Sequence, residues 1–160
     1  MKKPLVILLI IPLLFADDVS SRELTIFDNG QSNYVIVIPV AATKIEQKAA
    51  FKLQYYLREM SGTKLKIVPE NKSGHTHNIY IGNCNNTKKL NIDFLALGKD
   101  GISLNTLGND FFISGGNGEG LLFGVYSFLE RLGCRRYSAN IDVIPKNNHL
   151  KISGFNITEI

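Results

Sequence analysis

Residues 113–140 read ISGGNGEGLLFGVYSFLERLGCRRYSAN, a glycine turn followed by an apolar, amphipathic stretch. Apolar side chains recur in it at steps of three and four residues, which predicts a helix over residues 119–132 with one wide apolar stripe. Gly133 follows, at the position where a left-handed residue usually ends a helix. A stripe of this width needs a broad sheet face to cover it. The stripe consists of Leu121, Leu122, Val125, Phe128, Leu129 and Leu132.

A second amphipathic helix is predicted over residues 43–60. Thr43 and Glu46 have the spacing of a capping box at its start, and Gly62 suits its end. The lysines of this segment lie off the apolar stripe. The stripe consists of Ile45, Ala49, Leu53, Tyr56, Leu57 and Met60.

The remaining periodic segments are short, β-branched or alternating, as is typical of strands. Together with the helices they predict a single α+β domain, in which a mixed sheet carries two helices on one face. A doubly wound fold would need more alternating βα units. The predicted strands and extended segments are residues 22–27, 34–38, 65–68, 78–82, 101–105, 110–114, 134–137, 142–145 and 149–152.

Length and composition agree with one ordinary globular domain. The chain has 160 residues, of which 44% are apolar and 20% charged. These values exclude a disordered chain, and the sequence has no collagen repeat, heptad run or dense cysteine framework.

The N-terminus has the features of a secretory signal peptide. Lys2 and Lys3 precede an apolar run that ends at Asp17, too short for a membrane-spanning helix. We therefore expect residues 1–16 to be removed and the protein to be secreted or periplasmic; the alternative is a retained N-terminal anchor. No cysteine follows the run, which argues against a lipoprotein.

Charge gives little support for a nucleic-acid partner. Loss of residues 1–16 removes two lysines and no acids, so the formal net charge falls from +4 to +2. The other basic residues are scattered, without the basic face and interleaved aromatics that nucleic-acid binding requires. After signal cleavage we expect no membrane contact either.

Cys84 and Cys134 are the only cysteines, and each adjoins a predicted strand. An exported protein can form a disulfide, so the two could be bonded neighbours in the sheet. We favour two buried free thiols, because cysteine is often simply a small core residue. Neither has the histidine pattern of a nucleophile.

The glycines at 115, 116, 118 and 120 lie between a strand and a helix, as in loops that bind phosphate. Their spacing fits neither a dinucleotide-binding motif nor a P-loop, and Glu119 places a negative charge where phosphate would lie. We therefore favour a tight turn that lets the helix pack closely on the sheet. No cofactor is expected.

No pattern of catalytic or metal-binding residues stands out. Glycoside hydrolysis needs two carboxylates across a cleft, but Glu119, Glu130 and Asp142 are not paired by any motif and read as surface acids. His75 and His77 are too few for a metal site and lie in a polar loop.

Three stretches together carry a family resemblance. They are AAFKLQYYLREMSGTKLKIV (residues 49–68), IYIGN (79–83), and residues 113–140 followed by VIPK (143–146). The chain resembles the N-terminal domain of family 67 glycoside hydrolases, the alpha-glucuronidases. It is also similar to the domain before the catalytic barrel in family 20 beta-hexosaminidases and in uncharacterised secreted bacterial proteins. Arg136-Tyr137 stand where the family often has Trp-Phe.

The resemblance implies an α/β sandwich of the hexosaminidase domain 2 type over residues 22–154, with residues 155–160 as a tail or linker. It implies that the acid/base residues lie in a following (β/α)8 barrel, which takes about 250 residues and is absent here. No catalytic residue is therefore transferred to this chain. The expected partner is such a barrel or a partner chain, docked on an interface of Glu119, Phe123, Tyr126, Arg135, Arg136 and Tyr137.

Three functions remain open. The first is a non-catalytic accessory domain of a secreted glycoside hydrolase. The second is a free-standing carbohydrate-binding or scaffold module, for which Tyr34, Tyr55, Tyr80 and Tyr137 are candidate platforms for a sugar ring. The third is a small hydrolase, which would need a carboxylate pair that the sequence does not reveal.

Overall fold

The computed structural model describes residues 23–138 and 141–160, without the side chains of Tyr137, Ser138 and Ile141. The predicted signal peptide, residues 1–16, and Arg22 lie outside the described residues. No helix in the described part of the chain is long and apolar enough to cross a membrane.

A six-stranded mixed sheet forms the centre of the molecule, as predicted. Four neighbouring strands run parallel to one another. At one edge of the sheet two further strands follow, each antiparallel to the strand before it. In spatial order the strands are β10 (Asn156–Glu159), β5 (Ile102–Leu107), β6 (Asp110–Gly115), β4 (Asn78–Ile81), β2 (Val35–Ile38) and β3 (Ile67–Pro69).

Two α-helices follow the two parallel strands β2 and β6. Helix α1 spans Lys44–Ser61 and begins with the predicted capping box, in which the Thr43 hydroxyl accepts from the Glu46 N–H. Helix α2 spans Gly120–Arg131. Gly62 and Gly133 have φ values of 82° and 90°, so both adopt the left-handed conformation that the sequence predicts at the helix ends.

Both helices cover the same face of the sheet. The main core combines the predicted stripes of α1 and α2 with alternate residues of the strands, among them Ile36, Ile79, Phe111 and Ile113. These strand residues face the helices because side chains alternate between the two faces of a sheet. The predicted α+β sandwich with helices on one face is confirmed.

The opposite face has a smaller core and no α-helix among the described residues. Val37, Tyr80, Cys84 and Phe112 are buried there, and a 3₁₀ helix at Asn85–Leu90 follows Cys84. Cys134 belongs to the main core instead. The two cysteines are free and buried on opposite faces of the sheet, which confirms the favoured prediction.

Two short antiparallel ribbons complete the fold. Strand β1 (Leu24–Phe27) pairs with β9 (Leu150–Ile152), and their buried side chains join the main core. Strand β7 (Arg135–Ser138) pairs with β8 (Ile141–Val143) directly after α2.

The segment predicted as a tail or linker, residues 155–160, is placed differently by the structure. Asn156–Glu159 form strand β10, with Ile157 opposite Leu104 of β5. Ile157 packs against the main core, whereas its polar neighbours face the other way. The weak alternation of this segment is thus a strand signal, and the six-stranded sheet includes Asn156–Glu159.

Candidate interaction surfaces

The outer side of α2 carries three of the predicted interface residues. Glu119 lies at the N-terminal end of the helix and is exposed, Phe123 is 45% exposed, and Tyr126 is half-buried. They follow at steps of four and three residues, so they share the helix side opposite the buried stripe. Phe123 is the exposed apolar residue that a docking surface on this helix would use.

Tyr126 belongs to a polar group that we call the tyrosine–arginine cluster, made of Tyr56, Tyr126, Arg136 and Asp142. Arg136 Nη1 donates to the Tyr126 hydroxyl at 2.8 Å, and the guanidinium lies 5.6 Å from the centre of the Tyr126 ring. The Tyr56 hydroxyl donates to Asp142 Oδ2 at 2.7 Å. Helices α1 and α2 supply the tyrosines, and the β7–β8 ribbon supplies the charged pair.

Register explains why the two charged residues meet. Arg136 of β7 lies opposite Asp142 of β8, and Arg136 Nε is 3.9 Å from Asp142 Oδ1. Burial and the hydrogen bond to Asp142 raise the pKa of Tyr56 above its ordinary value of 10.0. Tyr56 is therefore a neutral donor at any physiological pH, and the cluster joins both helices to the ribbon.

Arg135 has a structural use that the sequence does not reveal. Its Nη1 donates to the carbonyl oxygens of Glu130 and Cys134, at 2.7 and 2.8 Å. A cation at the C-terminal end of a helix is favourable because it faces the negative end of the helix dipole. Arg135 also lines a cavity of about 250 Å³ beside the cluster. The side chain of Tyr137, the sixth predicted interface residue, lies outside the described residues.

The candidate carboxylates Glu119 and Glu130 are too far apart to form a catalytic pair. Glu119 and Glu130 are both exposed and lie about 16 Å apart along α2, beyond the separation that glycosidases use. Asp142 is bonded to Tyr56 and paired with Arg136. This arrangement fits a structural role for Asp142 and a surface role for the two glutamates.

The glycine turn before α2 is used for packing. The N–H groups of Gly116, Asn117 and Gly118 donate to the carbonyl oxygens of Gly101, Gly98 and Lys99, and Gly120 N–H also donates to Lys99. Backbone donors that are paired in this way are not available to a phosphate. The favoured interpretation, a tight turn with close backbone approach, agrees with these bonds.

Among the described residues, the histidines do not form part of a metal centre. The rings of His77 and Tyr34 form a T-shaped pair, and His77 Nδ1 is 2.9 Å from the Thr76 hydroxyl. Among residues 23–138 and 141–160, no three His, Cys, Asp or Glu side chains come together as metal ligands.

The outward side of α1 is a surface that the sequence analysis did not identify. Phe51 and Tyr55 are 61% and 44% exposed, one turn apart. The side chains that project from this side of α1 enclose a shallow groove of about 510 Å³ between them. We call this surface the α1 ridge; it consists of Lys44, Gln47, Lys48, Phe51, Lys52 and Tyr55.

One of the four tyrosines proposed as sugar platforms lies on this ridge. Tyr34 and Tyr80 are buried, at 4% and 5% exposure, and so cannot receive a sugar ring. Tyr55 is exposed. Phe51 could have been recognised in the sequence, because it is a large aromatic residue on the polar side of the helix, out of phase with the stripe.

The sequence matches no protein-family model and no curated protein. Three solved structures of much longer chains match this chain over a part of their length. One is a GH115 4-O-methyl-alpha-glucuronidase, BtGH115A, with specificity for decorated arabinogalactans. It matches with a TM-score of 0.57 and 17% sequence identity, and the match covers 81% of this chain and 17% of that chain.

Two further structures match with lower similarity. A GH138 enzyme targeting pectin rhamnogalacturonan II has a TM-score of 0.43, 17% identity, and 75% and 11% coverage of the two chains. CpGH84D has a TM-score of 0.45, 12% identity, and 86% and 23% coverage. The chain thus spans between 11% and 23% of the length of these enzymes. The GH115 match establishes a shared fold with one domain of a glycoside hydrolase, and it does not select family 67.

Proposed function

We propose that this chain is a non-catalytic accessory domain of a secreted glycoside hydrolase that acts on a polysaccharide or glycan. The single observation that carries the proposal is the fold shared with a small part of a GH115 enzyme, over 81% of this chain. A (β/α)8 barrel needs about 250 residues of its own, so in this proposal the chemistry takes place outside these 160 residues. The finer assignment, to a domain of the alpha-glucuronidase type with a cleaved signal peptide, is part of the same proposal.

The docking surface in this proposal is the outer side of α2 and the start of the β7–β8 ribbon. Phe123 is the apolar contact at its centre. Tyr126 and Arg136 form the polar rim at its edge. Lysine is depleted in protein interfaces, which favours this side of the molecule over the lysine-rich α1 ridge. The bonds of the tyrosine–arginine cluster hold the rim in place before a partner arrives.

A second candidate is a free-standing carbohydrate-binding module. The observation that favours it is the pair of exposed aromatic side chains, Phe51 and Tyr55, with polar neighbours. Sugar binding combines an apolar platform with a few polar groups, and the α1 ridge offers both.

The test of the accessory role is complex formation with the (β/α)8 barrel encoded nearest to this gene. The two are co-expressed, and their complex is measured by size-exclusion chromatography together with release of a chromogenic sugar. We expect the barrel to hydrolyse the sugar and this chain alone to release none. Phe123→Asp should abolish the complex, since it places a charge at the centre of the apolar contact.

The matched control is Leu107→Asp. Leu107 is 47% exposed, close to the exposure of Phe123, but it ends strand β5 away from α2. The Leu107 variant should bind the barrel like the wild type. Sugar release by this chain alone, or a complex that survives Phe123→Asp, would contradict the proposal.

A further inference from the structure

The α1 ridge combines two exposed aromatic rings with three lysines and no acidic residue among the six that line it. Phe51 and Tyr55 lie on the side of α1 opposite the core, so packing within the domain does not account for them. Arg58 lies at the end of the ridge, 5.8 Å from the centre of the Tyr55 ring, but its charge is paired with Glu59 at 2.8 Å, so the lysines are the cations of this surface.

The lysines are placed where they do not favour the helix. Lys44, Lys48 and Lys52 follow at one-turn steps of about 6 Å, which makes two like-charge neighbours at i, i+4. Lys44 is also the first residue of α1, where the helix dipole disfavours a cation. Because the row opposes helix stability, its function is better sought in a ligand outside the domain.

A ligand that matches this surface has two properties. It presents apolar faces that stack on Phe51 and Tyr55, and it carries anionic groups at intervals along an extended chain. Sugar rings have such faces, and their carboxylates form charge-assisted hydrogen bonds with ammonium groups. Lysine is depleted in protein interfaces, so a protein partner fits the ridge less well.

We propose that the α1 ridge binds a carboxylate-bearing polysaccharide, with Phe51 and Tyr55 as the stacking platform and Lys44, Lys48 and Lys52 as the anion contacts. The choice of a glycan ligand rests on the proposed function as part of a glycoside hydrolase. The binding site is open and shallow, which suits a polymer that continues beyond it at both ends.

The test measures binding of polygalacturonate to the whole chain by calorimetry and by affinity electrophoresis. The matched ligand is the same polymer with its carboxyl groups methyl-esterified, which keeps the sugar backbone and removes the charge. We expect binding of the acid form, weaker binding at high salt because exposed charges are screened, and little binding of the ester.

Two ridge variants test the residues. Lys48→Gln removes the central cation, and the double variant Phe51→Ser with Tyr55→Ser removes the platform. Lys48→Gln should weaken binding about tenfold, the effect of losing one charged hydrogen bond. The double variant removes both stacked contacts and should weaken binding at least as much. Lys72→Gln and Leu107→Ser are the controls, because both residues are exposed away from the ridge and their variants should bind like the wild type.

Several results would overturn the inference: equal binding of the acid and the ester, ridge variants that bind like the wild type, or no binding of polygalacturonate. Binding of single-stranded DNA or of phosphatidylserine vesicles as tightly as the polymer would do so too, since it would indicate general attraction to anions. The assay contains no barrel. Absence of polygalacturonate binding would therefore not contradict the proposed complex through Phe123. Absence of that complex would likewise not contradict polygalacturonate binding by the α1 ridge.

Discussion

At the scale of single residues, the carboxylate of Glu46 connects two parts of the fold. Its Oε2 accepts from the N–H and hydroxyl of Thr43, at 2.8 and 2.9 Å, and its Oε1 accepts from Asn83 N–H at 3.2 Å. The start of α1 is thereby bound to the end of β4. Gly82 allows this approach, because a Cβ there would lie 2.5 Å from Oε1 and because its φ is +81°. The spacing Thr43 to Glu46 predicts the capping box, but the bond to Asn83 depends on tertiary structure.

Gly116 provides the residue-scale prediction. A Cβ at this position would overlap the backbone carbonyl of Gly98, which cannot move aside because Asn117 N–H donates to it. We expect Gly116→Ala to lower the free energy of unfolding by about 2 kcal/mol or more, the usual result of forced overlap in a packed site. Urea unfolding measures the change.

Gly74→Ala is the control for that measurement. A Cβ on Gly74 has no atom within 4 Å, and alanine restricts the unfolded chain more than glycine does. Its stability should be unchanged or higher by about 0.4–1 kcal/mol. A tolerated Gly116→Ala would mean that the turn does not need the close backbone approach described above.

At the scale of elements, α1 serves two surfaces at once. Its inner stripe belongs to the core, while its outer side carries the α1 ridge with the lysine row. The inner stripe is required for folding, and the α1 ridge on the outer side is not. Stability and binding on this helix should therefore respond in opposite directions to a change of charge.

Lys48→Glu tests this opposition. It replaces two like-charge i, i+4 pairs, with Lys44 and Lys52, by two attractive ones, each worth about 0.2–0.5 kcal/mol. Because each repulsive pair becomes an attractive one of similar size, we expect the free energy of unfolding to rise by about 0.8–2 kcal/mol at low salt and less at high salt. Binding of polygalacturonate should be lost. Thermal unfolding at the two salt concentrations measures the first effect. A lower stability would show that Lys48 has a favourable contact in the folded state.

At the scale of the whole molecule, the sheet separates two cores of unequal size, and both bury weak acids. Burial raises the pKa of the Cys84 thiol from 9.0 to about 12, with a smaller contribution from Glu70. Burial also raises the pKa of Tyr34 and of Tyr80 from 10.0 to about 12, and Asp110 adds to each. All three groups keep their protons in the fold longer than in the unfolded chain.

Stability should therefore fall on the alkaline side. Below about pH 9 both states are protonated and the full stability is present; between pH 9 and 12 the unfolded chain loses protons that the fold retains. Each of the three groups lowers the free energy of unfolding by at most about 1.4 kcal/mol for each pH unit in this range. Cys84→Ala should reduce this slope, measured by urea unfolding at several pH values, even if the smaller side chain lowers stability overall. An unchanged slope would mean that Cys84 ionises equally in both states.

The sequence alone determined the local structure and the fold class. The stripes of α1 and α2, their capping residues and the alternating strands predict an α+β sandwich, because each of these patterns depends on neighbours within a few residues. Only the tertiary structure decided which distant side chains meet: Tyr56 with Asp142, Arg136 with Tyr126, and β10 with β5. It also decided which aromatic residues stay exposed on α1, because burial depends on what the remaining chain covers, and no short segment of sequence records that.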